Sequence, residues 1–312
     1  MTTVRDVSEG WTWAIVSGLA AAAIWGGGSV VSRYLVSNGA NPIDLTLIRY
    51  LVCFPLGLIA ILIWPAARPR IPLPRLLVLT LLAGPPYQFL LLAGYGHATA
   101  GAGALLVTGL MPVAACILGW LSPGPRPAPE AWIGAGIGLA GLVLFAQGLS
   151  DAHLDARGVL VFSTAAVAWA LLGRCARAWA VDPLQLTVAL ALSSPLFLPA
   201  WYLTTGGSVP SLDTAHLLLQ GLYHGTFVAF VATVLYFFAI RGAGAETAAC
   251  LQAATPVFAA LLGAGILDEP LAPTQAAGAV IVTLGIAVAA TGKRLTAWHR
   301  RASGKSTEEH PQ

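Results

Sequence analysis

Trp25 and Trp169 stand 144 positions apart, each well inside a long apolar stretch. Thr108 and Gln252 form a second pair at the same spacing. Tyr87 and Gln88 follow two prolines in Gly-Pro-Pro-Tyr-Gln-Phe at 84–89, and His224 is the only imidazole deep in an apolar stretch. Indole, phenol, amide, hydroxyl and imidazole groups can stack on a small organic molecule and hydrogen-bond its polar part. They are not set out for covalent chemistry. The chain has no paired central carboxylates, no His-x-x-x-His, no Gly-x-Ser-x-Gly and no phosphate loop, so neither an enzyme nor an ATP-driven pump is expected. The chemistry on offer is reversible binding of a substrate by Trp25, Tyr87, Gln88, Thr108, Trp169, His224 and Gln252.

Each of these residues also has a plainer reading. The tryptophans could be bulky packing between helices. Gln252 could be polar glue to a neighbouring helix. His224 could be a neutral, hydrogen-bonded structural residue, and Arg49 reads as a side chain that snorkels outward or pairs locally, with carboxylate binding as its functional alternative.

The elements that carry them must be membrane helices. Hydrophobic residues make up 57% of the 312 and charged residues 9%, where a soluble domain carries about 25% charge. Ten apolar stretches approach the roughly 20 residues that cross a bilayer. They run about 13–34, 42–64, 75–97, 99–121, 131–148, 157–180, 183–204, 214–240, 243–267 and 271–292. None alternates in the manner of a barrel strand. At 1.5 Å rise per residue, a position ~10–12 residues into a span lies roughly 15–18 Å deep, near mid-membrane. Trp25, Trp169, Thr108 and Gln252 meet that count. The expected breaks at this depth are the Pro85-Pro86 pair and Gly26-Gly27-Gly28, the glycines serving either a break or close packing.

Charge sets orientation. All of the sixteen Lys and Arg residues except Arg33, Arg49 and Arg157 fall on the side of the N-terminus, which by the positive-inside rule puts both termini in the cytoplasm. The net charge of +3 therefore reports topology and not nucleic-acid binding. The polar first ten residues and the length of Trp11–Val36 argue for a retained first helix and against a cleaved signal. Cys53, Cys116, Cys175 and Cys250 lie within spans without ligand spacing, so packing is expected, with no metal and no cofactor. Arg outnumbers Lys fourteen to two amid abundant Ala and Gly, which fits a GC-rich bacterial genome.

The 144-residue offset extends to Pro112/Pro256, Val113/Val257, Gly119/Gly263, Gly134/Gly278 and Gly141/Gly285, each pair falling at one place within corresponding spans. The organisation read from this is a first five-helix repeat at 13–148, a second at 157–292, and a basic cytoplasmic tail at 293–312. Five is odd, so the repeats are inverted in the membrane, the plan of many secondary transporters.

Here the chain resembles the EamA-like exporters of the drug/metabolite transporter superfamily. The resemblance is carried by Ala-Ala-Ala-Ile-Trp-Gly-Gly (21–27), Leu-Ile-Arg-Tyr-Leu-Val (47–52) and the stretch 244–289 with its weaker twin at 100–145. It departs at Pro125, where the second repeat has Glu269. The resemblance implies an all-α polytopic protein of ten transmembrane helices in two inverted five-helix repeats. It implies a monomeric secondary transporter in a bacterial inner membrane, exporting amino acids or similar metabolites. A nucleotide-sugar antiporter of the same fold stays open, as does, further off, an intramembrane enzyme. With no carboxylate in the central third of any span, a proton-coupled exporter of cations is disfavoured.

Overall fold

A computed structural model describes residues 4–94, 97, 100–123, 126–148, 155–207, 213–266 and 271–302. The described residues form helices and connections, with no strand among them. In chain order the α-helices are α1 (Val4–Ser37), α2 (Pro42–Ile63), α3 (Leu73–Ala83), α4 (Pro85–Gly94), α5 (Ala100–Leu121), α6 (Pro129–Ala146) and α7 (Ala156–Ala178). There follow α8 (Pro183–Leu192), α9 (Leu198–Thr205), α10 (Thr214–Leu219), α11 (Ala232–Ala243), α12 (Ala245–Gln252), α13 (Thr255–Ile266) and α14 (Pro273–Ala302). A π-helical stretch, Gln220–Val231, joins α10 to α11.

Start signals are written locally. Asn41 caps α2 by accepting from the Ile43 N–H, Asp155 caps α7 through Gly158, and Asp182 caps α8 through Leu184 and Gln185. Prolines at the first turns of α2, α6 and α8 use a position where the missing N–H costs nothing.

Seven helical stretches are long and apolar enough to cross a membrane, or eight if the bent pair Pro183–Leu192 and Ser194–Thr205 counts as one span. Three of the expected ten spans are interrupted, one of them between α12 and α13 at Ala253 and Ala254. Pro85 has no N–H to give, and Gly84 leaves the helix in an extended conformation, so 73–94 becomes α3 and α4. Ser193, Ser194 and Pro195 produce a 3-10 turn and a bend of 40° between α8 and α9. The apolar part of α5, Leu105–Leu121, falls short of the length needed.

The break expected at Gly26–Gly28 does not occur: α1 runs through unbroken. Those glycines serve close packing instead. A β-carbon on Gly26 would meet backbone atoms of Thr255 and Ala259 at 2.8 Å, and one on Gly28 would meet Val228 at the same distance.

Between α6 and α14 the backbones also touch. A β-carbon on Gly134 would lie 2.6 Å from the carbonyl oxygen of Gly285, and one on Gly141 would lie 2.9 Å from that of Gly278. As the number rises along α6, it falls along α14, so these helices pack antiparallel. The outer faces carry large apolar side chains such as Leu62, Leu81, Leu160 and Leu203, all more than half exposed. With lipid as the neighbour, such faces need no cover, and helix association rests on close contact between small residues.

Candidate functional site

At the centre of the bundle lies a cavity of about 240 Å³. It is bounded chiefly by α1, α2, α4, α5 and α7, with smaller contributions from α3, α8, the π-helical stretch, α11, α12 and α13. Trp25, Tyr87, Gln88, Thr108, Trp169 and Gln252 all line it. So do Ser29, Arg49, Tyr50, Cys53, Met111, Phe162 and Thr233. At about 30 Å³ per water, the space is worth roughly eight waters.

Its inner end is a layer of aromatic rings. Trp25 meets Trp169 edge to face at 5.8 Å between centroids, and Trp169 stacks on Tyr236 at 5.9 Å. Tyr87 closes on Trp169 at 5.2 Å, and Trp25 on Tyr236 at 5.4 Å. The Trp25 Nε1–H donates to the Val228 carbonyl at 3.1 Å, which satisfies an indole that would otherwise sit unpaired. Beyond this layer a buried apolar cluster that includes Leu79, Leu172, Leu186, Tyr236, Ile240, Ala245 and Ala248 fills the space.

The two ends of the bundle are held differently. On the side of the apolar cluster, Arg174 reaches Glu246 at 3.7 Å and donates to the Pro123 carbonyl at 2.9 Å. Arg177 donates to the Ile240 carbonyl at 2.7 Å there. On the opposite side, where α1 ends and α7 begins, His97 Nδ1 lies 2.9 Å from the Asp155 carboxylate. The Asp155 N–H also donates to the His97 carbonyl at 3.0 Å. The backbone N–H of Gly158 first, and then His97, hold the Asp155 carboxyl below the usual range. Ser29, Arg49, Tyr50 and Phe162 place the cavity in this second half of the bundle.

His224 is the one predicted residue that does not line the cavity. It sits in the π-helical stretch with Nε2 3.0 Å from Ser32 Oγ, buried against α1. Gln220, Tyr223 and His224 together tie this stretch to α1 and α2, with Gln220 Nε2 donating to the Leu45 carbonyl at 2.7 Å. Gly225 lets α2 come close, since a β-carbon there would meet Val52 at 2.5 Å. A π turn of this kind often marks a functional helix.

Arg49 does not snorkel outward, one of the readings open for it. It lines the cavity, with its guanidinium 5.9 Å from the Tyr50 ring centre and Nε buried without a hydrogen-bond partner. Among the described lining residues it is the one charged group. The residues the sequence reading missed had weak signals: Ser29 follows Trp25 by one helical turn, and Phe162 precedes Trp169 by two, so each shares its neighbour's helix face.

Among the described residues, no three His, Cys, Asp or Glu side chains gather to hold a metal ion. The four cysteines are free, three buried and Cys175 half-buried. What the arrangement can do is hold a small molecule between aromatic faces, with amide and hydroxyl groups and one guanidinium on its walls.

Comparison with known proteins agrees with this picture. The family model described as the EamA-like transporter family matches residues 12–147 and again 156–291. The chain is 28% identical over 296 residues to "Uncharacterized transporter YdeK" of Bacillus subtilis (strain 168), covering 91% of this chain and 96% of that protein. It is 26% identical over 218 residues to "Uncharacterized transporter YwfM" of the same organism, covering 67% and 70% of the two chains. It is 32% identical over 195 residues to "Uncharacterized protein PA1977" of Pseudomonas aeruginosa, covering 62% and 66%. One solved crystal structure shares the fold with a TM-score of 0.72 at 22% identity, over 90% of this chain and 98% of the other. Two matched segments spanning nearly the whole apolar sequence, on a bundle of membrane-length helices around a central cavity, place this chain in the EamA-like transporter family.

Proposed function

We propose that the protein is a secondary transporter that exports small metabolites, amino acids or related compounds, by alternating access across a bacterial cytoplasmic membrane. The observation that carries this reading is the position of Trp25 and Trp169. They occupy equivalent places in the two matched segments and meet each other at the inner end of the cavity. Two equivalent residues in mutual contact lie on the axis relating the halves, where transporter binding sites are built.

The reading takes the protein as ten spans in two inverted repeats, 13–148 and 157–292, with both termini and the 293–312 tail in the cytoplasm. Antiparallel contact of α6 with α14, through glycines at equivalent positions, supports the inversion. A cavity on one side of the aromatic layer, with a packed cluster on the other, fits an outward-facing state of such a machine. The protein acts as a monomer in this reading, without cofactor. A volume of about 240 Å³ suits a single amino acid, and a wall with one guanidinium is less basic than a diphosphate calls for.

Counterflow in proteoliposomes tests it. Vesicles preloaded with single amino acids should accumulate the labelled compound from outside, while nucleotide sugars should give none. Counterflow of nucleotide sugars alone, or cysteine labelling that places the two termini on opposite faces, overturns the reading.

A further inference from the structure

We propose that Arg49 is the anion anchor of the cavity, and that the transported compounds are defined by a free carboxylate seated on its guanidinium with an apolar or aromatic remainder against the rings. The inference rests on the transport reading above and narrows its substrate class.

Three observations converge. First, Arg49 stands seven residues into the apolar span Ile43–Ile63, so its charge is held within the membrane. A guanidinium is always ionised, and at such a depth it is retained where something compensates it or uses it. Second, no described carboxylate does so. The ion pairs of the described residues join His97 to Asp155, Arg174 to Glu246, His216 to Asp213 and Arg241 to Asp182. Asp44, five residues before Arg49 on α2, accepts instead from the Trp201 indole at 3.0 Å. Third, the cation faces a space large enough for a ligand and empty of acidic side chains.

No described residue supplies the counter-charge, and a bound anion would do so. Guanidinium geometry matches a planar carboxylate, which it binds through two parallel N–H donors. A further donor lining the cavity, Gln252 Nε2, is buried and has no hydrogen-bond partner among the described residues. The rings of Trp25, Trp169, Tyr87 and Phe162 accept the rest of the molecule. No lining side chain demands an ammonium group. The carboxylate is the required element and an amino group is optional.

Three probes separate the parts: 3-phenylpropionate, phenylalanine and the neutral 3-phenylpropionamide, titrated into the full chain in lipid nanodiscs and followed by calorimetry. The wild type should bind the two carboxylates, and the amide at least tenfold more weakly. Arg49→Gln should lose at least tenfold for both carboxylates and leave the amide unchanged, while Arg49→Lys should recover part of the loss. Amide binding equal to wild type would certify that the Gln variant is folded, and the acid-to-amide comparison in wild type needs no variant. Equal binding of acid and amide by the wild type overturns the proposal, as does undiminished carboxylate binding by folded Arg49→Gln. Proteoliposome counterflow tells the two levels apart. Counterflow of neutral compounds but not of carboxylates removes the anion anchor and spares the transporter; binding and counterflow of nothing in either panel removes both.

Discussion

Trp25 and Trp169 meet edge to face with ring centroids 5.8 Å apart, each at the same place within its matched segment. Because both rings also pack on Tyr236, neither contact is independent of the other. Trp25→Ala and Trp169→Ala should each cost about 3–5 kcal/mol of stability, the range for emptying a packed aromatic site. The double variant should cost less than the two together by about 0.5–1.5 kcal/mol, the worth of an aromatic pair. Unfolding in detergent micelles checks this; strictly additive losses would mean that the rings do not share their energy.

The glycine contacts of α6 and α14 give a test with a built-in control. Gly141→Ala should destabilise by about 1–3 kcal/mol, because the added methyl meets the backbone of Val282 at 2.7 Å and that of Gly278 at 2.9 Å. Gly285→Ala, its equivalent in the second segment, meets Gly134 and Gly138 at 2.7 Å and should cost as much. Gly136→Ala has nothing within 4 Å and should be neutral or mildly stabilising, since alanine is the better helix former. Three thermal midpoints decide it.

Asp155 makes a pH prediction outside the membrane spans. Its carboxyl is held below the usual range, so it binds a proton less readily in the folded chain than in the unfolded one. The stability it adds is present at any pH above the ordinary carboxylate pKa of ~3.9. It fades as pH falls through the lower folded value. Asp155→Asn should lower the thermal midpoint at pH 7 and at pH 5 alike. The difference from wild type should vanish near the acid limit of the fold. A difference that instead disappears already at pH 5 would overturn the assignment to the Asp155 carboxyl.

His224 should matter to the helix that holds it more than to the substrate. Its side chain joins Ser32 and lies off the cavity. His224→Gln should keep most transport and lose about 1 kcal/mol of stability, the ordinary worth of one hydrogen bond. A pH gradient should add little uphill accumulation in liposomes. Strong gradient-driven uptake that disappears in the Gln variant, with exchange retained, would make His224 the coupling group.

The helical class was legible because it depends on run length and composition. Trp25, Trp169, Thr108 and Gln252 could be paired by counting alone, and a helix converts a count into a height. Azimuth around the helix was less legible. Arg49 read as an outward-pointing side chain because only the packing of α2 against the π-helical stretch, through Gly221 and Gly225, fixes which way that face turns. The same limit applied to His224, whose ring is aimed by a helix with an irregular hydrogen-bond ladder that no residue pattern announced. Glycine runs were ambiguous for a different reason: Gly26–Gly28 and Gly84 have one composition and opposite outcomes. Pro85 after Gly84 removed a backbone donor, and nothing comparable follows Gly28.

The crossed glycine contacts of α6 and α14 have the pattern of a two-fold contact. Gly134 touches Gly285 while Gly141 touches Gly278, the exchange of partners made by two identical subunits across a two-fold axis. A homodimer of one half would make this contact twice with a single gene, and every mutation would strike both copies at once. Joining the halves in one chain raises their effective concentration and releases them from that identity. The release is visible in the cavity. Arg49 sits on α2, whereas the corresponding stretch 183–205 carries no lysine or arginine at all. A strictly symmetric pair would face two guanidinium groups or none; a single chain with unlike halves can keep one.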